Sequence, residues 1–188
     1  MRKKYKLGLF HGRFQHIHKG HQKIIDQMLK ECEKSVLLIG NSQALRTEKD
    51  PFTVLERIDL IKRIYGNKKN LIVGFFPDLP YIPKTRKEYE KWGAWILGFC
   101  NYYAGTWPNV VYCGNDTKIE WLYKKKKIKP IKVPRKDLPI SATKIRELLK
   151  KNKKEEWMKF TDKKIHPYYD KLRKIVLSVF QKLKNNKF

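Results

Sequence analysis

Two apolar runs near the amino end, "YKLGLFH" (5–11) and "SVLLIG" (35–40), flank a segment in which Ile24, Ile25, Met28, Leu29 and Cys32 recur at helical spacing. The reading is strand, helix, strand. The unit returns with "FTVLERIDLIKRIYG" (52–66), where Leu55, Ile58, Leu60, Ile61 and Ile64 follow a helical period, and with "NLIVGFF" (70–76), apolar enough for a strand buried on both faces. A Pro-rich turn at 77–83 leads to an aromatic-rich helix over 85–103, a strand over 109–113, a short helix over 116–123 and a strand over 127–133. Strands alternating with helices predict an α/β protein with a doubly wound parallel sheet, Rossmann-like, and right-handed crossovers. From about residue 142 the pattern is helical only. Its last segment sets Tyr168, Leu172, Ile175, Val176, Val179, Phe180 and Leu183 in one stripe opposite Lys171, Lys174 and Lys182. The expected organisation is an α/β domain over 1–150 and a C-terminal helical extension over 151–188 packed on it, with a contact between copies in a homo-oligomer as the other use of that stripe.

Composition narrows the setting. A chain of 188 residues suits one substantial domain. No run approaches the length of a membrane span, and the basic start "MRKKYK" passes into a strand pattern without a signal-peptide core, so the expectation is a cytoplasmic protein with no membrane partner. Cys32, Cys100 and Cys113 lack CxxC spacing and fit reduced thiols better than disulfides or zinc. The 44 lysines and arginines against 18 acids give a net charge of +26, which attracts polyanions at low salt. The basic residues, mostly lysine, are spread along the chain. Nucleic-acid binding is therefore expected to be incidental, and the run at 124–127 is expected to be a solvated loop.

Chemistry concentrates in "GRFQHIHKGH" (12–21), which with His11 holds four of the five histidines. In an open parallel sheet, ligands bind beyond the carboxyl ends of strands, where the next helix presents its N-terminus. Gly12 opens the stretch at that point, Gly20 allows close backbone approach, and free N–H groups there favour a phosphate. Arg13 adds a bidentate charge. His18 and His21, three apart at a helix start, can aim donors at one phosphoryl group, and positioned donors are most of what phosphoryl transfer requires. Two other readings stay open for the pair. As metal ligands they would need a third, and Asp26, the nearest carboxylate, lies a turn and a half down the helix; as structural histidines they would simply be satisfied by neighbours. His11 and His16 read as structural or supporting. GxxxxGK[ST] and GxGxxG are both absent, so neither a Walker-type site nor a dinucleotide-binding oxidoreductase is signalled.

These residues resemble the GRFQPxHxGH element of nucleotidyltransferases with the HxGH motif, in particular the archaeal-type nicotinamide-nucleotide adenylyltransferases. That superfamily's second motif, ISxTxIR, is matched by "ISATKIR" at 140–146. Between the two, "NSQALRTEKDPFTVLERIDLI", "FFPDLP", "GAWI" and "YCGND" resemble the family's segments after the second, third and fourth strands. The likeness spans about residues 5–150. His16 stands where the family usually has proline, which is expected to loosen the loop, and the aromatic segment 85–107 departs in detail, which makes it the expected chooser of the acceptor.

The resemblance implies the nucleotidyltransferase fold and a reaction in which the phosphate of nicotinamide mononucleotide attacks the α-phosphorus of ATP, giving NAD and pyrophosphate with Mg²⁺ held through the ATP phosphates. It assigns catalytic roles to His18, His21, Arg13 and Arg146. Phe10, Gly12, Gly20, Ser141, Thr143, Lys144, Arg57 and Asn115 are implied to hold ATP or its phosphates, and Phe14, Gln15, Asn41, Gln43, Asp78 and Trp95 the mononucleotide. Ser141 and Thr143 also suit simple capping of the helix that follows. Trp95 could equally be a core aromatic beside Trp92 and Phe99. A pantetheine-phosphate adenylyltransferase, a cytidylyltransferase, or a nucleic-acid-binding protein on the same fold are the alternatives; GRFQ opens the motif unlike the first two, and two intact phosphate motifs weigh against the third.

Overall fold

A computed structural model of the chain describes residues 2–66, 68–114, 118–123, 128–134 and 140–185, with side chains in the last helix through residue 181. Asn115 and the lysine run 124–127 lie outside these residues. Five strands, β1 (Tyr5–Gly12), β2 (Cys32–Ile39), β3 (Leu71–Phe75), β4 (Val110–Cys113) and β5 (Lys129–Lys132), form one sheet of order β3-β2-β1-β4-β5. Every pairing is parallel; Leu9 lies opposite Val36 and Val111, and Val36 opposite Ile72. The chain winds outward from β1 to β3, then crosses back to β4 on the other side of β1. That reversal makes the sheet doubly wound and puts the switch point at β1 and β4.

The residues gather into two compact units, the first comprising Met1–Arg13, Lys23–Ser42 and Asn67–Lys136, the second Phe14–Gln22, Gln43–Gly66 and Asp137–Phe188. The first holds the sheet, most of α1 (Lys19–Glu31), α3 (Arg86–Ala104) and α4 (Ile119–Tyr123). Alternate residues of β1 feed opposite faces. Leu7 and Leu9 join Val36, Leu38 and Val111 against Ile96, Leu97 and Cys100 of α3 and Leu122 of α4. On the other face Gly8 leaves room for Met28 of α1 and for Cys32 and Tyr112; a Cβ there would stand 2.6 Å from the Cys32 sulfur. Gly93 lets α3 touch the backbone of α4, since a Cβ would lie 2.1 Å from the Leu122 carbonyl oxygen.

The second unit contains α2 (Val54–Tyr65), α5 (Ala142–Lys150), α6 (Lys154–Phe160), a 3₁₀ segment (Lys163–Tyr168) and α7 (Tyr169–Asn185). Thr53 and Glu56 close a reciprocal capping box at the start of α2. The expected stripe of α2 is shifted: Leu55 is 71% exposed and the buried face is Arg57, Leu60, Ile61, Ile64 and Tyr65. Period alone cannot say which edge of an apolar arc turns inward. The C-terminal region is helical but broken, at Asn152 (φ 55°), at Thr161 and through the 3₁₀ segment holding Pro167. Its stripe is buried at Leu172, Val176 and Val179, with Tyr169 rather than Tyr168 in the core, alongside Ile145, Leu149 and Trp157. Within this unit α5 packs on α6 and α7. Among the described residues no helix is long and apolar enough to cross a membrane.

Candidate active site

In the first unit the expected residues collect at the carboxyl ends of β1, β2 and β3. The Gly40 N–H donates to the Gly12 carbonyl (2.9 Å), Phe76 N–H to Ile39 (3.0 Å) and Ser42 N–H to Phe76 (3.2 Å), so the ladder continues past the strands into their loops. Asn41 takes a left-handed conformation (φ 53°). Asp78 Oδ1 lies 3.5 Å from where a Cβ on Gly40 would be. The Trp95 indole N–H donates to the Pro77 carbonyl (2.8 Å) and its ring meets Phe99 edge-on while staying 41% exposed. Gly12, Asn41, Asp78 and Trp95 are thus assembled around the strand ends. Phe10 is buried in β1 and Arg13 is exposed, as is Gln43 in the second unit. His11 packs edge-on against Trp92 and Tyr123.

In the second unit the histidine stretch bends sharply. Phe14 (φ 47°) and His16 (φ 138°) both have positive φ, the latter in a region L-residues rarely enter, at about 1–3 kcal/mol each. Side-chain bonds hold the bend. The Gln15 amide donates to the Phe52 carbonyl (3.1 Å) and accepts from the Phe52 N–H (3.0 Å). His16 is fully buried; its Nδ1–H donates to the Ile17 carbonyl (2.7 Å) and its Nε2 accepts from the Trp157 indole N–H (3.3 Å). Since indole only donates, this pair fixes the neutral tautomer with the proton on Nδ1. Burial, with the nearby Arg146 charge adding to it, lowers the His16 pKa to about 4. Replacing the family's proline therefore does not loosen the loop: histidine fills the position and fastens it.

Beyond the bend the His18 carbonyl accepts from the N–H of His21 (2.8 Å) and of Gln22 (3.1 Å), which starts α1. The His18 and His21 rings stack, 3.8 Å between centroids and 26° between planes, with Phe14 against His21. His18 is buried, Gly20 is buried and His21 is half-buried. On α5, Ser141 Oγ accepts from Lys144 N–H (3.2 Å), capping the helix, and the Arg146 guanidinium donates to Thr143 Oγ1 (3.3 Å). The second motif thus joins hydroxyls and an arginine on one helical turn.

Three expected residues also make contacts within the second unit. Gln15 uses both ends of its amide on Phe52. Arg57 is buried with Nε donating to the Thr53 carbonyl (3.2 Å). Lys144 Nζ sits over the Phe160 ring at 5.0 Å. The residue that sequence reasoning passed over is Trp157, and "KEEWMKF" carried no clear signal for it, because Trp95, Trp107 and Trp121 are each 40% or more exposed while Trp157 is fully buried. Among the described residues no three His, Cys, Asp or Glu side chains are grouped to hold a metal ion.

A doubly wound parallel sheet of this order binds its ligands beyond the carboxyl ends of the strands, at the switch point. The cytidylyltransferase-like family model matches residues 9–148, and the chain belongs to that family. Within it the chain is 30% identical over 144 residues to the nicotinamide-nucleotide adenylyltransferase of Thermococcus kodakarensis, covering 75% of this chain and 71% of that one. Its identity to the Pyrococcus abyssi protein of the same name is 29% over 175 residues, covering 88% and 83%. Among nucleotidyltransferases, then, its relatives are the nicotinamide-nucleotide adenylyltransferases. Two solved structures share the fold. A bifunctional NMN adenylyltransferase/ADP ribose pyrophosphatase from Francisella tularensis, complexed with AMP and a manganese ion, superposes with a TM-score of 0.69 at 17% identity over 93% of this chain and 52% of its own. NadR protein in complex with NAD and AMP-PNP gives 0.62 at 19% identity over 86% and 46%. The chain spans about half the length of each of these two structures.

Proposed function

We propose that the chain joins ATP and nicotinamide mononucleotide to give NAD and pyrophosphate. The observation that carries the reading is the stacked His18–His21 pair at the start of α1, two imidazoles whose closeness suits shared contact with one phosphate group. A phosphate oxygen of the mononucleotide attacks the α-phosphorus of ATP; the bond from that phosphorus to the bridging oxygen breaks, and pyrophosphate leaves with the electron pair. The attacking phosphate is already ionised near neutral pH, so no general base is required and catalysis reduces to holding reactants in line and stabilising the developing charge. His18 and His21 donate to phosphate oxygens. Arg13 and Arg146 supply fixed charge, with Ser141 and Thr143 adding hydroxyl and backbone donors at the start of α5. A divalent cation such as Mg²⁺, for which this chain's described residues group no ligand set, would arrive with the ATP phosphates and would neutralise part of their charge. Asp78 and Trp95, around the strand ends, hold the mononucleotide, the indole stacking on its ring. Residues 1–150 constitute the catalytic region and 151–188 an extension of it.

The test is pyrophosphate release with ATP and Mg²⁺ and a panel of acceptors: nicotinamide mononucleotide, its nicotinate analogue, phosphopantetheine and glycerol phosphate, with CTP as alternative donor. Release with the mononucleotides alone is expected. Release with another pair would keep the chemistry and reassign the acceptor, and silence from a folded sample would refute the reading.

A further inference from the structure

The C-terminal segment grips the histidine turn on both sides. Before the pair, the Trp157 N–H reaches His16 Nε2. After it, the Gln22 side chain donates to Asp162 Oδ2 (2.8 Å), while Asp162 Oδ1 accepts from Lys164 N–H (2.9 Å) and so ties the turn to the 3₁₀ segment. The first grip runs through a defined chain of atoms. With Nε2 occupied by the indole, the His16 proton is confined to Nδ1 and directed at the Ile17 carbonyl. That carbonyl belongs to the peptide group whose nitrogen is His18's, so the bond sets the plane from which the His18 side chain departs. Trp157 is itself immobilised, its carbonyl accepting from Thr161 Oγ1 (2.9 Å) and its ring edge-on to Tyr169 at 5.2 Å.

We propose that Trp157 is a positioning residue for His18, acting through His16. The proposal rests on the adenylyl-transfer reading for its kinetic consequence and on the geometry alone for its structural one. A seven-residue helix that follows the second phosphate motif thereby governs the presentation of the first.

The experiment is a double-mutant cycle. Trp157→Phe keeps an aromatic ring and removes the N–H; His16→Asn keeps a donor for the Ile17 carbonyl but is too short to meet the indole. Each single variant is expected to lower kcat by about 10-fold, as a slightly misplaced catalytic group does, with KM for ATP and the mononucleotide within about twofold. The double variant is expected to match the singles at about 10-fold, because both cut one chain of contacts; independent effects would multiply to about 100-fold. A multiplicative double variant, or a folded Trp157→Phe with unchanged kcat, overturns the proposal. Should Trp157→Phe not fold, benzothienylalanine at position 157, which preserves the ring size without the N–H, takes its place. A second readout needs no substrate: the ring nitrogen resonances of His18 and His21 are expected to move in both single variants, and unmoved resonances overturn the proposal. If the parent chain releases no pyrophosphate with any acceptor, the adenylyl-transfer reading fails while the ring resonances still decide whether Trp157 orients His18.

Discussion

His18→Ala removes one of the two stacked imidazoles, each a phosphate donor under the proposed function. Loss of a single transition-state donor costs on the order of 3 kcal/mol, so pyrophosphate release is expected to fall about 100-fold or more with the far-ultraviolet circular dichroism unchanged. A fully active or unfolded variant would count against the catalytic role. Arg146→Ala is expected to weaken ATP chiefly, read as a rise in the ATP KM of about 10-fold; unchanged KM and turnover would remove it from the site. His16 makes a prediction in pH. Its folded pKa is about 4 against 6.5 for the free group, so unfolding takes up a proton between those values and stability falls as pH falls through them. From pH 7 to 5 the expected loss is about 2 kcal/mol by urea unfolding, and His16→Asn should flatten it. That window lies above the lowered pKa values of Glu31 and Glu56, whose hydrogen-bonded carboxylates lose their contribution only at lower pH. A flat profile in the parent would refute the buried neutral state. At this scale the sequence was legible where chemistry is local. His18 and His21, three apart at a helix start, had to share a side, and Ser141 had to cap. It was not legible where partners are distant: nothing near His16 announces an indole 141 positions away, and nothing near Gln15 announces the Phe52 backbone.

Helices and strands obey shorter-range rules, and most were readable. The apolar runs became strands within a few residues of their expected limits, while the capping boxes Thr53–Glu56 and Thr85–Glu88, which the apolar period does not announce, fix the starts of α2 and α3. The early start of β2 at Cys32, directly after α1, was hidden because Cys32 fits a helical stripe as well as a strand. The spacing of α3 from α4 was hidden too, since a glycine in a helix announces only that something comes close. Two substitutions on α3 separate propensity from packing. Gly93→Ala drives a methyl into the Leu122 carbonyl and is expected to destabilise by at least about 1–3 kcal/mol in denaturant unfolding. Gly98→Ala, with open space around it, should be neutral or stabilising by up to about 1 kcal/mol. Equal effects would mean that α3 and α4 are not in backbone contact.

For the molecule as a whole, the winding of the sheet and its helical C-terminal region were foreseeable from the order of elements. The interleaving of chain segments in the two units was not, because residues 14–22 and 43–66 gather with the C-terminal helices through side chains far apart in sequence. The net charge of +26 predicts binding of short duplex DNA at low salt without sequence preference, falling steeply towards physiological salt; retention there with sequence discrimination would argue for a nucleic-acid role. One more property follows from the packing. All three cysteines are reduced, buried and within the sheet-bearing unit, and burial raises the Cys100 thiol to about 12. A thiol-reactive dye added to the native enzyme would therefore label only at moments when that unit opens. The rate of its incorporation would clock sheet fluctuations, while the helical unit, which contains no cysteine, stays silent.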